Sequence, residues 1–299
     1  MRPVVLLTFS LLCTVHVASA QAPVKRPKIT GISHVRIYAS DVASSTQFYR
    51  GLLGLTEEDG LNLPQGFYIN RRQYVALEAA GSRAPGMDLI AFATSDAERL
   101  RKYLAAKQVQ VPAQVDKNSD GSKSFEVTDP EGHHIVFEQI STTSLPVSIG
   151  KGISHHMIHA GLVVHDPAAM DHFFKDILGF RPYWHGGRSE NVTDWISLQV
   201  PDGSDWVEYM LNAKPDASRT QLGVMNHIAL GVTSIQGAVQ WLQSKGWKPN
   251  DREHPQLGHD GKWQLNVYDP DATRVEAMEF QPVKQPCCSP YTAPHPKAE

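Results

Sequence analysis

His159, Glu208, His227 and Glu276 follow one another at intervals of 49, 19 and 49 residues (159 to 208, 208 to 227, 227 to 276). Each lies inside a short apolar run: Met157-Ile158-His159-Ala160-Gly161-Leu162-Val163-Val164, then Trp206-Val207-Glu208-Tyr209-Met210-Leu211. The other two are Met225-Asn226-His227-Ile228-Ala229-Leu230-Gly231-Val232 and Arg274-Val275-Glu276-Ala277-Met278-Glu279-Phe280. Runs of this length and composition read as β-strands. A His or Glu within one costs several kcal/mol unless something pairs with it. Two imidazoles and two carboxylates converging on one divalent cation satisfy all four at once. The mixed nitrogen and oxygen set suits Zn, Ni, Fe, Mn or Co, and residue types alone do not choose among them.

The strands that must position these side chains belong to a doubled chain. Phe48-Tyr49-Arg50-Gly51-Leu52-Leu53-Gly54-Leu55 is echoed by Phe173-Phe174-Lys175-Asp176-Ile177-Leu178-Gly179-Phe180. The offset of 125 (48 to 173) also relates His34 to His159 and Asp41 to Asp166. Thr128-Asp129-Pro130-Glu131-Gly132 is echoed by Tyr268-Asp269-Pro270-Asp271-Ala272 at an offset of 140 (128 to 268). Two copies result, 31–140 and 153–282, joined by the Ser/Thr/Pro/Gly-rich stretch from Ser141 to Gly152. Each copy divides again into a strand, an amphipathic helix stopped by a glycine, and three further strands. The helices are expected over 44–53, 96–106, 168–178 and 235–245. The fold class is therefore α+β, with a β-α-β-β-β unit occurring four times. In the second copy the four candidate ligands fall on the first and last strands of both units.

Register settles two ambiguities. His155 and His156 compete with His159, and alternation puts 155, 157 and 159 on one face. The seven-residue step to Asp166, which repeats the step from His34 to Asp41, selects His159. Glu279 competes with Glu276, and the count of seven from Asp269 favours Glu276.

The ends of the chain read differently. Arg2, the mostly apolar stretch from Val4 to Val17, and Ala18-Ser19-Ala20 form a signal peptide over residues 1–20, cleaved before Gln21. The stretch is too short for a membrane span of about 20 residues. The expectation is an exported, periplasmic or secreted protein with no membrane attachment after cleavage. Only Cys287 and Cys288 then remain, adjacent in a Pro-rich tail (283–299) that reads as disordered. A link between neighbours closes no loop, so the core is expected to stand without crosslinks. A net charge of −3 with no long basic run excludes nucleic acid as the main partner.

The stretches His159…Asp166, Phe173-Phe174…Leu178-Gly179-Phe180, Trp206-Val207-Glu208-Tyr209, Asn226-His227-Ile228-Ala229-Leu230 and Asp269-Pro270-Asp271…Glu276 resemble the vicinal oxygen chelate superfamily. Glyoxalase I, extradiol dioxygenases and bleomycin or fosfomycin resistance proteins belong to it. The resemblance implies two tandem domains, each a pair of βαβββ units forming a cupped mixed sheet around a divalent metal. It implies one ion held by His159, Glu208, His227 and Glu276. Glu276 or Glu208 would serve as catalytic base on a small-molecule substrate that chelates through two neighbouring oxygens. The His/Glu/His/Glu set is similar to glyoxalase I, which points to a lyase or isomerase. Tandem extradiol dioxygenases use His, His and Glu of the second half, here His159, His227 and Glu276, which implies Fe(II) chemistry instead. A non-catalytic, resistance-type binding protein is the third reading.

Two positions depart from these patterns. Val163 stands where bacterial glyoxalase I has an arginine, although Asn212 matches a nearby asparagine. Asn266 stands where extradiol enzymes have a tyrosine. In the first copy His34 and Glu78 occupy equivalent ligand positions, but Leu89 matches His227 and Val136 matches Glu276. Two ligands of four hold no metal firmly, so that half is read as a degenerate site. His185, Arg188, Trp195, Trp206, His254 and His259 are expected near the mouth of the second cup.

Overall fold

In the computed structural model, residues 25–58, 65–119, 121–141 and 148–298 are described. The leader expected over residues 1–20, and half of the linker between the copies (142–147), lie outside them.

The first copy contains β1 (Ile29–Ala39), α1 (Val42–Thr46), β2 (Thr56–Glu58), β3 (Gln65–Tyr68) and β4 (Tyr74–Ala79). Its second unit is β5 (Gly86–Thr94), α2 (Ala97–Ala106), β6 (Asp116–Lys117), β7 (Lys123–Thr128) and β8 (His134–Gln139). The second copy repeats the order with β9 (Met157–Val163), α3 (Pro167–Asp171), β10 (Arg181–Gly186), β11 (Trp195–Gln199) and β12 (Trp206–Met210). A short helix, α4 (Arg219–Met225), which the sequence reading did not anticipate, precedes its second unit. That unit comprises β13 (His227–Val232), α5 (Ile235–Ser244), β14 (Gln256–Leu257), β15 (Trp263–Tyr268) and β16 (Arg274–Glu279). Four βαβββ units are thus present. Each copy is one eight-stranded mixed sheet, ordered β2-β3-β4-β1-β5-β8-β7-β6 and β10-β11-β12-β9-β13-β16-β15-β14.

Local chemistry explains the repeated helix. Asp41 and Asp166 cap α1 and α3, each accepting from the backbone amides of the second and third residues of its helix. Both helices run on into wider π-type turns, Gln47–Leu52 and His172–Ile177. Gly54 and Gly179 end them with φ of 73° and 80°, a conformation that favours a residue without Cβ. Phe173 and Phe174 then bury under the sheet in one apolar core shared by both copies. Phe92 of the first copy meets Phe174 and Phe180 of the second at ring centroid distances of 6.4 and 5.3 Å.

Among the described residues no helix is long and apolar enough to cross a membrane. The tail corrects an expectation, because residues 283–298 are packed rather than disordered. Thr292 donates to Pro182 O, Gln199 donates to Pro294 O, and Cys287 N donates to His259 O. The tail therefore joins β10, at one edge of the second sheet, to the turn after β14 at the other. Cys287 and Cys288 form a disulfide within it.

Candidate metal centre

The four central strands of the second sheet carry the four predicted residues, one each. β9 lies parallel to β12 and antiparallel to β13, and β13 lies parallel to β16. Gly161 is opposite both Glu208 and His227, and Ala229 is opposite both His159 and Glu276. Because side chains alternate, all four project from the same face. Two small residues leave the space between them open. Gly161 is required there, since a Cβ would overlap the His227 ring and come within 3.0 Å of Met225 O.

The side chains converge. His159 and His227 are fully buried and Glu276 is 2% exposed. The two Nε2 atoms are 3.0 Å apart. Glu276 Oε2 is 3.8 Å from His159 Nε2 and 3.7 Å from His227 Nε2. Glu208 Oε2 is 3.9 and 3.6 Å from the same atoms, so its approach matches that of Glu276. His159, His227 and Glu276 form the most compact group, with one ligand atom each inside a mutual 4.8 Å.

Nδ1 of His227 lies 2.8 Å from Met225 O, so that nitrogen carries the proton and Nε2 presents a lone pair to the cluster. Trp206 packs on His159 at a ring distance of 4.7 Å. His159 Nδ1 and Glu276 Oε1 are buried without a hydrogen-bond partner. Orphaned polar atoms beside two converging imidazoles are costly as they stand. The donor set, two nitrogens and two carboxylates, fits a divalent cation.

Burial holds both imidazoles neutral, well below the usual histidine range, and the Arg274 charge pushes the same way. Burial raises the Glu208 carboxyl to about 8, with the neighbouring Glu276 charge adding to it. Burial raises Glu276 to about 7, partly offset by Arg274. Both carboxyls therefore lie above the usual carboxylate range.

Beside the cluster opens a cavity of about 230 Å³, lined by Trp184, Trp195, Glu208, His259, Arg274 and Glu276 among others. Of the residues expected at the mouth, Trp195 and His259 line it. Trp206 instead supports His159, and Arg188 stacks over Trp195 while pairing with Asp194. His185 holds the tail through Ser289, and His254 is exposed at the surface.

Three features escaped sequence reasoning. Lys262 is completely buried, with its ammonium over the rings of Trp206, Tyr183 and Tyr291 at 4.8, 5.5 and 5.4 Å. Burial lowers it to about 8 against the pull of Asp260 and both glutamates. Arg274 reaches into the cluster, and Gly161 makes room for it. Only Gly161 left a signal, a glycine inside an otherwise apolar strand.

Among the described residues the first copy holds no such set. Its register corrects one assignment: Ala76, not Glu78, is opposite Arg36, as Glu208 is opposite Gly161. Leu89 and Val136 do match His227 and Glu276 in register. His34 turns to Glu138 at 3.1 Å and stacks on Tyr74.

Fold and site geometry together define a cupped-sheet protein with a convergent His/Glu cluster. Residues 31–137 and 158–264 each match the Glyoxalase/Bleomycin resistance protein/Dioxygenase superfamily, and the chain belongs to that superfamily, with two domains in tandem. Among solved structures, the Mn(II)-bound glyoxalase from Novosphingobium aromaticivorans aligns with a TM-score of 0.67 at 18% identity, covering 85% of this chain and 83% of that one. Homoprotocatechuate 2,3-dioxygenase from Arthrobacter globiformis aligns with a TM-score of 0.67 at 18% identity, covering 86% and 81%. The Brevibacterium fuscum homoprotocatechuate 2,3-dioxygenase in complex with 3,4-dihydroxyphenylacetate gives 0.65 at 18%, covering 85% and 82%. At these identities the likeness is one of fold. No curated protein matches the chain significantly.

Proposed function

We propose that this chain is an exported, divalent-metal-dependent lyase or isomerase of glyoxalase type. Its substrate is a small molecule that presents two neighbouring oxygens to the ion. The observation that carries the reading is the position of Glu208, which stands as near to both imidazoles as Glu276 does. His159, Glu208, His227 and Glu276 would hold the cation, which when bound supplies Lewis acidity towards the chelating oxygens. The chain's own part is to take up and return a proton. Glu276 or Glu208, loosened from the ion, would carry that proton as general base. Trp184, Trp195 and His259 line the cavity in which that substrate would sit.

The compact group of His159, His227 and Glu276 favours a second reading, an extradiol-type Fe(II) dioxygenase in which Glu208 is not a ligand. Two measurements separate the readings. Under the first, Glu208→Gln weakens metal affinity by ~10-fold or more, and Fe(II)-loaded protein consumes no O₂ with catechols. Unchanged affinity together with catechol-dependent O₂ uptake would establish the dioxygenase. His227→Ala and Glu276→Ala should abolish binding of about one ion per chain, and His34→Ala should retain it.

A further inference from the structure

We propose that Arg274 is a built-in competitor for the metal centre: its guanidinium uses the one lone pair of His227 that a cation needs, and must leave before an ion can bind. The proposal rests on the metal-binding reading above. Arg274 opens β16 two residues before Glu276, so both side chains leave the strand on the same face. Its Nη2 lies 2.7 Å from His227 Nε2, and its Nη1 lies 4.0 Å from Glu276 Oε2.

The direction of the hydrogen bond is fixed by chemistry. Met225 O can only accept, so His227 Nδ1 is the protonated nitrogen and Nε2 is the acceptor. A guanidinium only donates and stays charged at all ordinary pH values. The single in-plane lone pair of Nε2 serves either Arg274 or a metal, not both. Like charge reinforces the exclusion, because an ion between His227 and Glu276 would lie against the guanidinium.

The anchoring of Arg274 is weak enough for exchange. Its Nε is buried with no hydrogen-bond partner among the described residues, and its carboxylate contact is at the far limit of an ion pair. The side chain already forms part of the cavity wall, so it has open space to move into. The competition selects for cations that bind imidazole strongly and discriminates against those that do not.

Metal-stripped wild type, Arg274→Met, Arg274→Lys and His227→Ala are titrated with Mn(II) alone by calorimetry, and association is followed by quenching of tryptophan fluorescence. Arg274→Met keeps the stem and loses every donor, so it should bind about tenfold tighter or more and associate faster. Arg274→Lys keeps the charge but loses the fork spanning His227 and Glu276, and should fall between Met and wild type. If the Met variant does not fold, tighter binding by the Lys variant supports the proposal and equal or weaker binding overturns it. A metal-free readout is the ¹⁵N resonance of His227 Nε2, which should shift on loss of the Arg274 hydrogen bond and whose constancy would overturn the proposal. Binding that depends on His227 but is equal or weaker in the Arg274 variants defeats the competition alone. Binding that His227→Ala leaves intact defeats the metal centre, and the competition with it.

Discussion

Replacing Glu208 by Gln should make the metal-free protein more resistant to alkaline pH. Glu208 has its carboxyl raised from 4.5 to about 8 by burial and by the Glu276 charge. Each unit corresponds to about 1.4 kcal/mol, so ionising this group inside the fold costs on the order of 5 kcal/mol. The folded-state value lies above the unfolded one. The native state therefore holds the extra proton between pH 4.5 and about 8, and stability falls as pH rises through that window. Below it Glu208 and Gln are equivalent, since both are neutral. Glu276 falls in the same window and the imidazoles act in the opposite sense below pH 6.5, but both are common to the two proteins. Thermal melts in chelator at pH 5 and pH 9 should show the variant gaining on wild type by about 5 kcal/mol. At 2–4 °C per kcal/mol for a chain this long, that is a relative gain of roughly 10–20 °C. Saturating Mn(II) should reverse the order, because the ion binds only the folded chain and binds wild type better. Parallel loss of stability by both proteins between pH 5 and 9 would refute the buried placement of this carboxyl.

Gly161→Ala should push the His227 ring out of the cluster, costing about 1–3 kcal/mol in overpacking and ~10-fold or more in metal affinity; equilibrium unfolding and calorimetry read the two effects separately. Truncation before Val283 removes Tyr291 from over Lys262 and should lower the melting temperature by roughly 6–20 °C, on the scale of losing a buried aromatic. The same truncation should make Lys262 reactive towards an amine-acylating reagent, detected by peptide mass spectrometry. Mass spectrometry of the protein from its native host should find the mature N-terminus at Gln21; an intact Met1 would remove the export assignment.

The fold was legible because its repeat leaves marks that burial cannot blur. The Asp41 and Asp166 caps, the glycine stops and the Asp-Pro turns recur at fixed offsets, and each enforces one local conformation. The four clustered residues were legible because a His or Glu stands out in an apolar run. Glu78 was misplaced for a physical reason: a slip of two residues keeps a strand side chain on the same face, so alternation does not distinguish 76 from 78. Lys262 lies one residue before β15 and Arg274 begins β16, places where a charged residue ordinarily faces solvent. Only the tail crossing above one and the cluster beside the other make them interior. The tail misled because its prolines exclude regular structure, and composition alone does not distinguish irregular packing from disorder.

The first copy bears on the cluster through its contacts with the second. Where the second copy has Gly161, the first has Arg36, paired to Asp88. This half supports the other one. Gln73 donates to Ile32 O at 3.1 Å and to Met157 O at 3.0 Å, and accepts from Met157 N at 2.8 Å. It also donates to Asp205, which accepts from Ile32 N and meets His156 Nε2 at 2.7 Å. This buried network fixes the start of β9 two residues before His159, and fixes Asp205 one residue before Trp206, which packs on His159. Two routes thus run from the first copy to one imidazole. The start of the strand that carries His159 is held by the first copy, which gives a physical reason for the two copies to share one core.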